Sequence, residues 1–349
     1  MLNRLCALLA LFAAAAPASA QPPAAEGTPI VTGTSYAIAS RHLGGRRTIN
    51  IRLPAGYERQ PQRRWPVLYL LDGGVEQDFP HIAGIAQHAD ISWTFEPFIL
   101  VGIESQRRPF ELTFPATDER YGEVQRPNGG ADAMRAFLRE EVRPFVEGRV
   151  RASGEDIVMG ESLAGLFVVE TLLRAPDLFD SWIAISPSLW WNRGSLLAEA
   201  PALLPRHDAR PRRLYLTVAN EGGTHRSAID GFVAALDAHA PAGLDWRFVD
   251  RSAAETHGSI YHAAALDALR GLYPIPYREG HSPRTPWLHD GPLPPLGAEA
   301  QRSLDAGECT AGIARRTTLA EIAANEAYWR GMCVIVEYGA GLPERRRRR

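Results

Sequence analysis

Ser162, Glu221 and His257 follow one another along this chain in an order, and at positions, that suit nucleophilic catalysis. A serine hydroxyl attacks poorly at neutral pH unless a base lies within hydrogen-bond reach and a third group orients that base. The stretch Asp156-Ile-Val-Met-Gly-Glu-Ser-Leu-Ala-Gly-Leu-Phe-Val-Val-Glu-Thr-Leu-Leu173 opens as an apolar strand, turns through Gly160 and Ser162, and continues as an apolar-faced helix. That is the sequence form of a nucleophile elbow. The G-x-S-x-G pattern is broken at Ala164, with Gly165 following it. Alanine is the smallest replacement, so a slightly wider turn is the expected cost. The competing reading is a buried strand-turn-helix with an incidental serine.

On such a scaffold the chain order is serine, carboxylate, histidine. Glu221 directly follows the apolar run Arg213 to Ala219, and His257 lies between the last strand and the last helix. His225, His262, His281 and His289 are the competing histidines, and any one of them taken alone reads as a surface or structural group. Asp250 and Glu255 are close to His257 in sequence and stay open as alternative acids. The oxyanion formed by attack on a carbonyl needs two preorganised donors. The backbone N–H of Leu163 is one candidate, and Gly74 or Gly73, after the run Val67 to Leu71, is the other. Two glycines after a strand also suit a plain tight turn. Trp190 and Trp191 offer flat apolar surface for an acyl or aromatic group, although either can equally be core.

These residues need a frame that brings distant loops together. Ser35 to Ser40 and Thr48 to Leu53 alternate apolar with polar residues around Gly44-Gly45 and read as an antiparallel edge pair. Val67 to Leu71, Phe98 to Ile103, the elbow strand, Ser181 to Ser186, Arg213 to Ala219 and Leu244 to Val249 are compact apolar runs separated by helical segments. Ala131 to Val150 has helical spacing interrupted at Pro144, Ile229 to Leu236 reads as helix, and a last helix is expected from His257 through Leu269. The fold class is therefore α/β, a doubly wound, mainly parallel sheet with an antiparallel N-terminal strand pair. Ligands in such sheets bind at the carboxyl ends of the strands.

Met1 to Arg4, the apolar run Leu5 to Ala16 and Ala18-Ser-Ala20 form a secretory signal pattern, with cleavage expected after Ala20 and a periplasmic or secreted product. Residues 21–34 read as a disordered lead, 35–273 as the main domain and 274–300 as a Pro-rich linker or wrapping extension. Residues 301–349 read as an appendage, with a helix over Thr317 to Tyr328, a strand over Met332 to Glu337 and a disordered Arg tail. Cys309 and Cys333 are free thiols or a disulfide; the oxidising compartment permits either. A net charge of -2 gives no reason to expect nucleic acid, and no apolar run after the leader is long enough to span a membrane. All basic side chains are arginine, since the sequence of 349 residues lacks lysine. No H-E-x-x-H, C-x-x-C, dinucleotide or phosphate-loop motif is present, so no metal and no cofactor is expected, and the partner is a small-molecule ester.

Several stretches together carry a resemblance: Val67 to Gly73, Arg107-Arg-Pro-Phe-Glu-Leu-Thr-Phe-Pro115, Gly129 to Asp132, Met159 to Phe167, Ser186-Pro-Ser-Leu-Trp-Trp191 and Glu255-Thr-His-Gly-Ser259. From about Ser35 to Tyr273 the chain resembles the bacterial putative-esterase family of α/β-hydrolases, and most closely its siderophore-esterase branch. The resemblance implies an α/β-hydrolase fold, Ser162 as nucleophile, His257 as base and Glu221 in the acid's place. Members with only a serine-histidine dyad leave the acid open. It also implies that Arg107 faces an anionic or catecholate substrate, or pairs with a carboxylate. The resulting expectation is an exported serine ester hydrolase forming an acyl-enzyme on siderophore-type esters. An acyltransferase or peptidase on the same scaffold, or a silent ligand-binding member, stays open because fold does not fix the acceptor.

Overall fold

The computed structural model describes residues 27–92, 94–118 and 127–275, with the short segments 308–309 and 315–316. Residues 27–32 are exposed coil in a unit of their own, Met1–Thr32, and a second unit begins at Gly33. The leader over 1–20, nearly all of the Pro-rich stretch, the helix over Thr317 to Tyr328, the strand over Met332 to Glu337 and the pairing of Cys309 with Cys333 lie outside the described residues.

The sheet is built from β1 (Thr34–Ala39), β2 (Arg46–Arg52), β3 (Trp65–Leu71), β4 (Ile99–Ile103), β5 (Ala152–Glu161), β6 (Ser181–Ile185), β7 (Arg212–Val218) and β8 (Leu244–Asp250). Their order is β1-β2-β4-β3-β5-β6-β7-β8. The β1–β2 and β2–β4 pairings are antiparallel, and every pairing from β4 to β8 is parallel. This is the doubly wound, mainly parallel sheet expected from the alternation of strands and helices, in the α/β-hydrolase arrangement that the resemblance implies. Strands β3, β4 and β6 are buried almost throughout because helices cover both faces, which is why they read as unbroken apolar runs.

Successive side chains of a strand point to opposite faces. Val67, Tyr69 and Leu71 accordingly join one core with Leu166, Phe167 and Val169, while Leu68 and Leu70 join a second with Ile82, Ile85, Ile260 and Ala264. Helices α1 (Phe79–Ser92) and α8 (Ile260–Leu272) supply the second core. The first takes α3 (Ala131–Phe137), α5 (Leu163–Arg174), α6 (Trp191–Leu203) and α7 (Gly223–His239). Between α3 and α4 (Arg143–Glu147) the chain forms a π-turn over Leu138–Val142, and Pro144 sits in the first turn of α4. The proline that interrupts the helical spacing thus begins a new helix, where its missing N–H has no acceptor to lose.

Three departures from the sequence reading bear on the site. The last helix begins at Ile260, so His257 lies in the turn before it. A short helix α2 (Arg108–Leu112) and the helix α6 were not expected; α6 starts with Asn192, Arg193 and Gly194 all in the left-handed region, which masks its period. A two-residue pair, β9 (Glu308–Cys309) with β10 (Arg315–Arg316), forms a separate antiparallel ribbon.

Candidate active site

Ser162 stands between β5 and α5 with φ 60° and ψ -117°, a conformation that L-residues rarely adopt outside tight, over-determined turns. The turn is held from three sides. Ser162 N–H donates to Ile185 O at 3.0 Å, while Leu166 N–H and Ser188 N–H each donate to Ser162 O at 2.9 Å. Gly160 and Gly165 make room for it: a Cβ on Gly160 would lie 2.6 Å from Cβ of Ala164, and one on Gly165 would lie 3.0 Å from Cα of Pro187. Ala164 therefore occupies the space that the missing side chain of Gly160 leaves, which explains why glycine is dispensable at 164.

His257 reaches the same end of the sheet from the turn after β8. Its Nδ1 is hydrogen-bonded to Glu221 Oε1, and the Ser186 hydroxyl donates to that same oxygen. Burial pushes the Glu221 carboxyl up, but hydrogen bonds from Ser186, its own backbone N–H and His257 outweigh burial and hold it below the ordinary range. An ionised carboxylate only accepts, so Nδ1 carries the proton and Nε2 of the neutral ring is left as the acceptor. Asp250 pairs instead with Arg226 at 2.8 Å, and Glu255 accepts from Ser259 Oγ at 2.7 Å. Among the alternative acids, Glu221 is the one at the ring.

The ring of His225 packs edge-on against His257 at 5.7 Å, with Nε2 at 3.8 Å from Glu221 Oε1. Burial pushes its pKa down, so it stands as a neutral wall of the site. Ser162 Oγ is 3.3 Å from Ser188 Oγ and makes no hydrogen bond to His257 among the described residues. Free hydrolases often hold this contact long and close it only around substrate.

Leu163 opens α5, so its N–H has no intrahelical acceptor and faces the turn. Of the two glycines after β3, Gly73 donates its N–H to Ile103 O at 2.7 Å, and a Cβ there would lie 2.3 Å from Cα of Gly102. Gly73 is thus a close-packing residue whose donor is already taken by the sheet. Gly74 N–H meets the side-chain oxygen Oε1 of Gln77 at 3.0 Å, a partner that a rotamer change can withdraw.

The substrate-contact candidates are placed differently from one another. Trp191 is fully buried, with Nε1 donating to Phe114 O at 3.0 Å, because the left-handed run after it turns the chain back into the core. Trp190 alone borders open space, a cavity of about 800 Å³ lined also by Arg193, Leu197, Gly223, Thr224 and Ser227. Arg107 points away: its guanidinium donates to Leu43 O at 3.0 Å and stacks over Phe110 at 4.5 Å. Its neighbour Arg108 is the cation at the nucleophile, 2.7 Å from Asp72 Oδ2 and donating to Glu161 O at 3.4 Å. The reason is the start of α2: Arg107 lies just outside it with non-helical backbone angles, φ -129° and ψ 65°, and Arg108 is its first helical residue, so the two side chains leave in different directions.

Sequence reasoning also passed over Glu161, Ser186 and Ser188. The serines lay in a quoted motif, but nothing in their spacing tells which oxygens they face. Among the described residues, no group of three or more His, Cys, Asp or Glu side chains converges to hold a metal ion, and no helix is long and apolar enough to cross a membrane.

Comparison with known proteins places this geometry. The chain is 41% identical over 107 residues to a siderophore enterobactin esterase of Emericella nidulans, covering 28% of this chain and 35% of that protein. It is 35% identical over 182 residues to a siderophore triacetylfusarinine C esterase of Aspergillus fumigatus, covering 47% and 60%. The matches thus span about a third and three fifths of these two relatives. A crystal structure of an IroE-like serine hydrolase from Shewanella oneidensis superposes with a TM-score of 0.64 at 28% identity, over 69% of this chain and 80% of that one. Residues 40–235 match the profile of the family described as "Putative esterase", and the chain belongs to that family.

Proposed function

We propose that this protein is a serine hydrolase of carboxylic esters, with Ser162 as nucleophile, His257 as general base and Glu221 as the acid that orients it. The observation that carries the reading is the Glu221–His257 hydrogen bond at the strand ends beside the strained turn of Ser162. In the forward step Ser162 Oγ attacks the ester carbonyl and its proton passes to His257 Nε2. The oxyanion is met by Leu163 N–H and, once Gln77 withdraws, by Gly74 N–H. The imidazolium protonates the leaving alcohol, and an acyl-enzyme remains. Water then attacks with His257 again as base, releasing the acid and restoring Ser162.

The substrate class we favour is a siderophore-type ester or lactone. This rests on the names of the relatives and on the Trp190 cavity, which offers an indole face to an aromatic arm; Arg193 at its rim is already paired with Asp118. We also propose export: the Ala18-Ser-Ala20 pattern supports cleavage before Gln21, and the first residue of the mature protein, read by N-terminal sequencing, is then Gln21.

A fluorophosphonate probe should label the wild type at one serine and fail to label Ser162→Ala. A wild type that resists the probe would sink the nucleophile assignment. A panel of acetyl, feruloyl and siderophore-lactone esters should show highest kcat/KM on the lactones.

A further inference from the structure

His257 has carboxylates on both of its nitrogens. Nδ1 is held by Glu221, and Nε2, the atom that takes the serine proton, lies 3.9 Å from Oε1 of Glu161. Glu161 ends β5, directly before the nucleophile, with its side chain 19% exposed, and its carboxylate accepts no hydrogen bond among the described residues. Ser162 Oγ is meanwhile turned to Ser188. The lone basic nitrogen therefore faces an unpaired acid while the nucleophile waits beside it.

We infer that Glu161 is a positioning residue for the reacting imidazole: its carboxylate stands beside Nε2 and stabilises the ring once that nitrogen has taken the proton of Ser162. This rests on the assignment of Ser162 and His257 as the reacting pair. Around Glu161 stand Asp72 in the turn after β3, Asp78 before α1, Arg108 on α2, Tyr261 on α8 and His257 itself. Around His257 stand Glu221, Glu161 and His225 of α7. Burial pushes the Glu161 carboxyl up to about 7, with His257 and Arg108 pulling it down and Asp78 and Asp72 pushing it further up.

An anion near the ring favours its charged form, so removing the anion lowers the midpoint of His257. The test is an NMR titration of the His257 ring in wild type, Glu161→Gln and Glu161→Asp, paired with the pH dependence of kcat/KM on p-nitrophenyl butyrate. Glu161→Gln should lower the ring midpoint by about half to one pH unit and move the acid limb of kcat/KM the same way. Glu161→Asp, which keeps the charge, should return both toward wild type. An unmoved ring midpoint in Glu161→Gln, or equal shifts in Gln and Asp, would overturn the inference. A ring that shifts as expected in a protein turning over no ester supports the coupling and refutes the hydrolase reading instead.

Discussion

In the proposed mechanism the proton of Ser162 passes to Nε2 of His257, and the tautomer that exposes this atom is set by the hydrogen bond of Glu221 on the opposite nitrogen. Glu221→Ala removes the acceptor for Nδ1–H, so the ring loses its orientation; kcat/KM is expected to fall by about 100-fold or more. Asp250→Ala and Glu255→Ala should stay within a few-fold of wild type, because their carboxylates bind Arg226 and Ser259. Steady-state kinetics of the three variants, each checked for folding by circular dichroism, separates them.

Glu161 makes a second prediction at this scale, on stability. Its folded-state pKa of about 7 lies above the ordinary glutamate value of 4.5. A carboxyl raised by folding is protonated in both states below its unfolded pKa and costs nothing there. As pH rises toward 7 the folded state must carry a disfavoured charge, and stability falls. Glu161→Gln should therefore gain about 1–3 kcal/mol at pH 8 and nothing near pH 4, measured by urea unfolding at both pH values.

At the scale of the element, the β5–α5 turn depends on glycines that are small for different reasons. Gly160 has φ in the ordinary range and is required by contact with Ala164, while Gly165 lets α5 approach Pro187 and Ile185. In Gly160→Ala the obstacle includes backbone, Ala164 C at 2.7 Å, so the turn must open. Thermal denaturation should show a loss of about 1–3 kcal/mol, with Ser162 misaligned and probe labelling slowed. Ala164→Gly, which restores the usual motif, should instead keep labelling near wild type and lose about 1 kcal/mol through the flexibility of glycine in a helix. The order of these two variants tests whether Gly160 does for this chain what glycine at the later position does elsewhere.

At the scale of the whole molecule, two cores on opposite faces of one sheet hold the loops that converge at its carboxyl edge. The adjacent tryptophans separate these roles. Trp191→Ala should cost about 3–5 kcal/mol, since it empties a fully buried position, whereas Trp190→Ala, at a position only partly buried against the core, should lower the melting temperature less and raise KM.

The pattern of apolar runs and turns was enough to predict the parallel sheet, its antiparallel edge pair and the elbow, since period-two and unbroken apolar runs report burial directly. The chain order of Ser162, Glu221 and His257 likewise followed from linear position, because each lies where a strand ends. What only the tertiary structure decided were matters of direction: Glu221 rather than Asp250 or Glu255 meets the His257 ring, Gly73 rather than Gly74 spends its N–H on the sheet, Arg108 rather than Arg107 lies beside Glu161, and Trp190 rather than Trp191 borders open space. In each case the residue types are alike, and in all but the first they are adjacent in sequence, so hydrophobic patterning does not tell them apart. The choice comes from the start of a five-residue helix, a left-handed run after Trp191, or a backbone hydrogen bond to the neighbouring strand. Glu161 is the extreme case, because the atom that gives it meaning lies nearly a hundred residues away on His257.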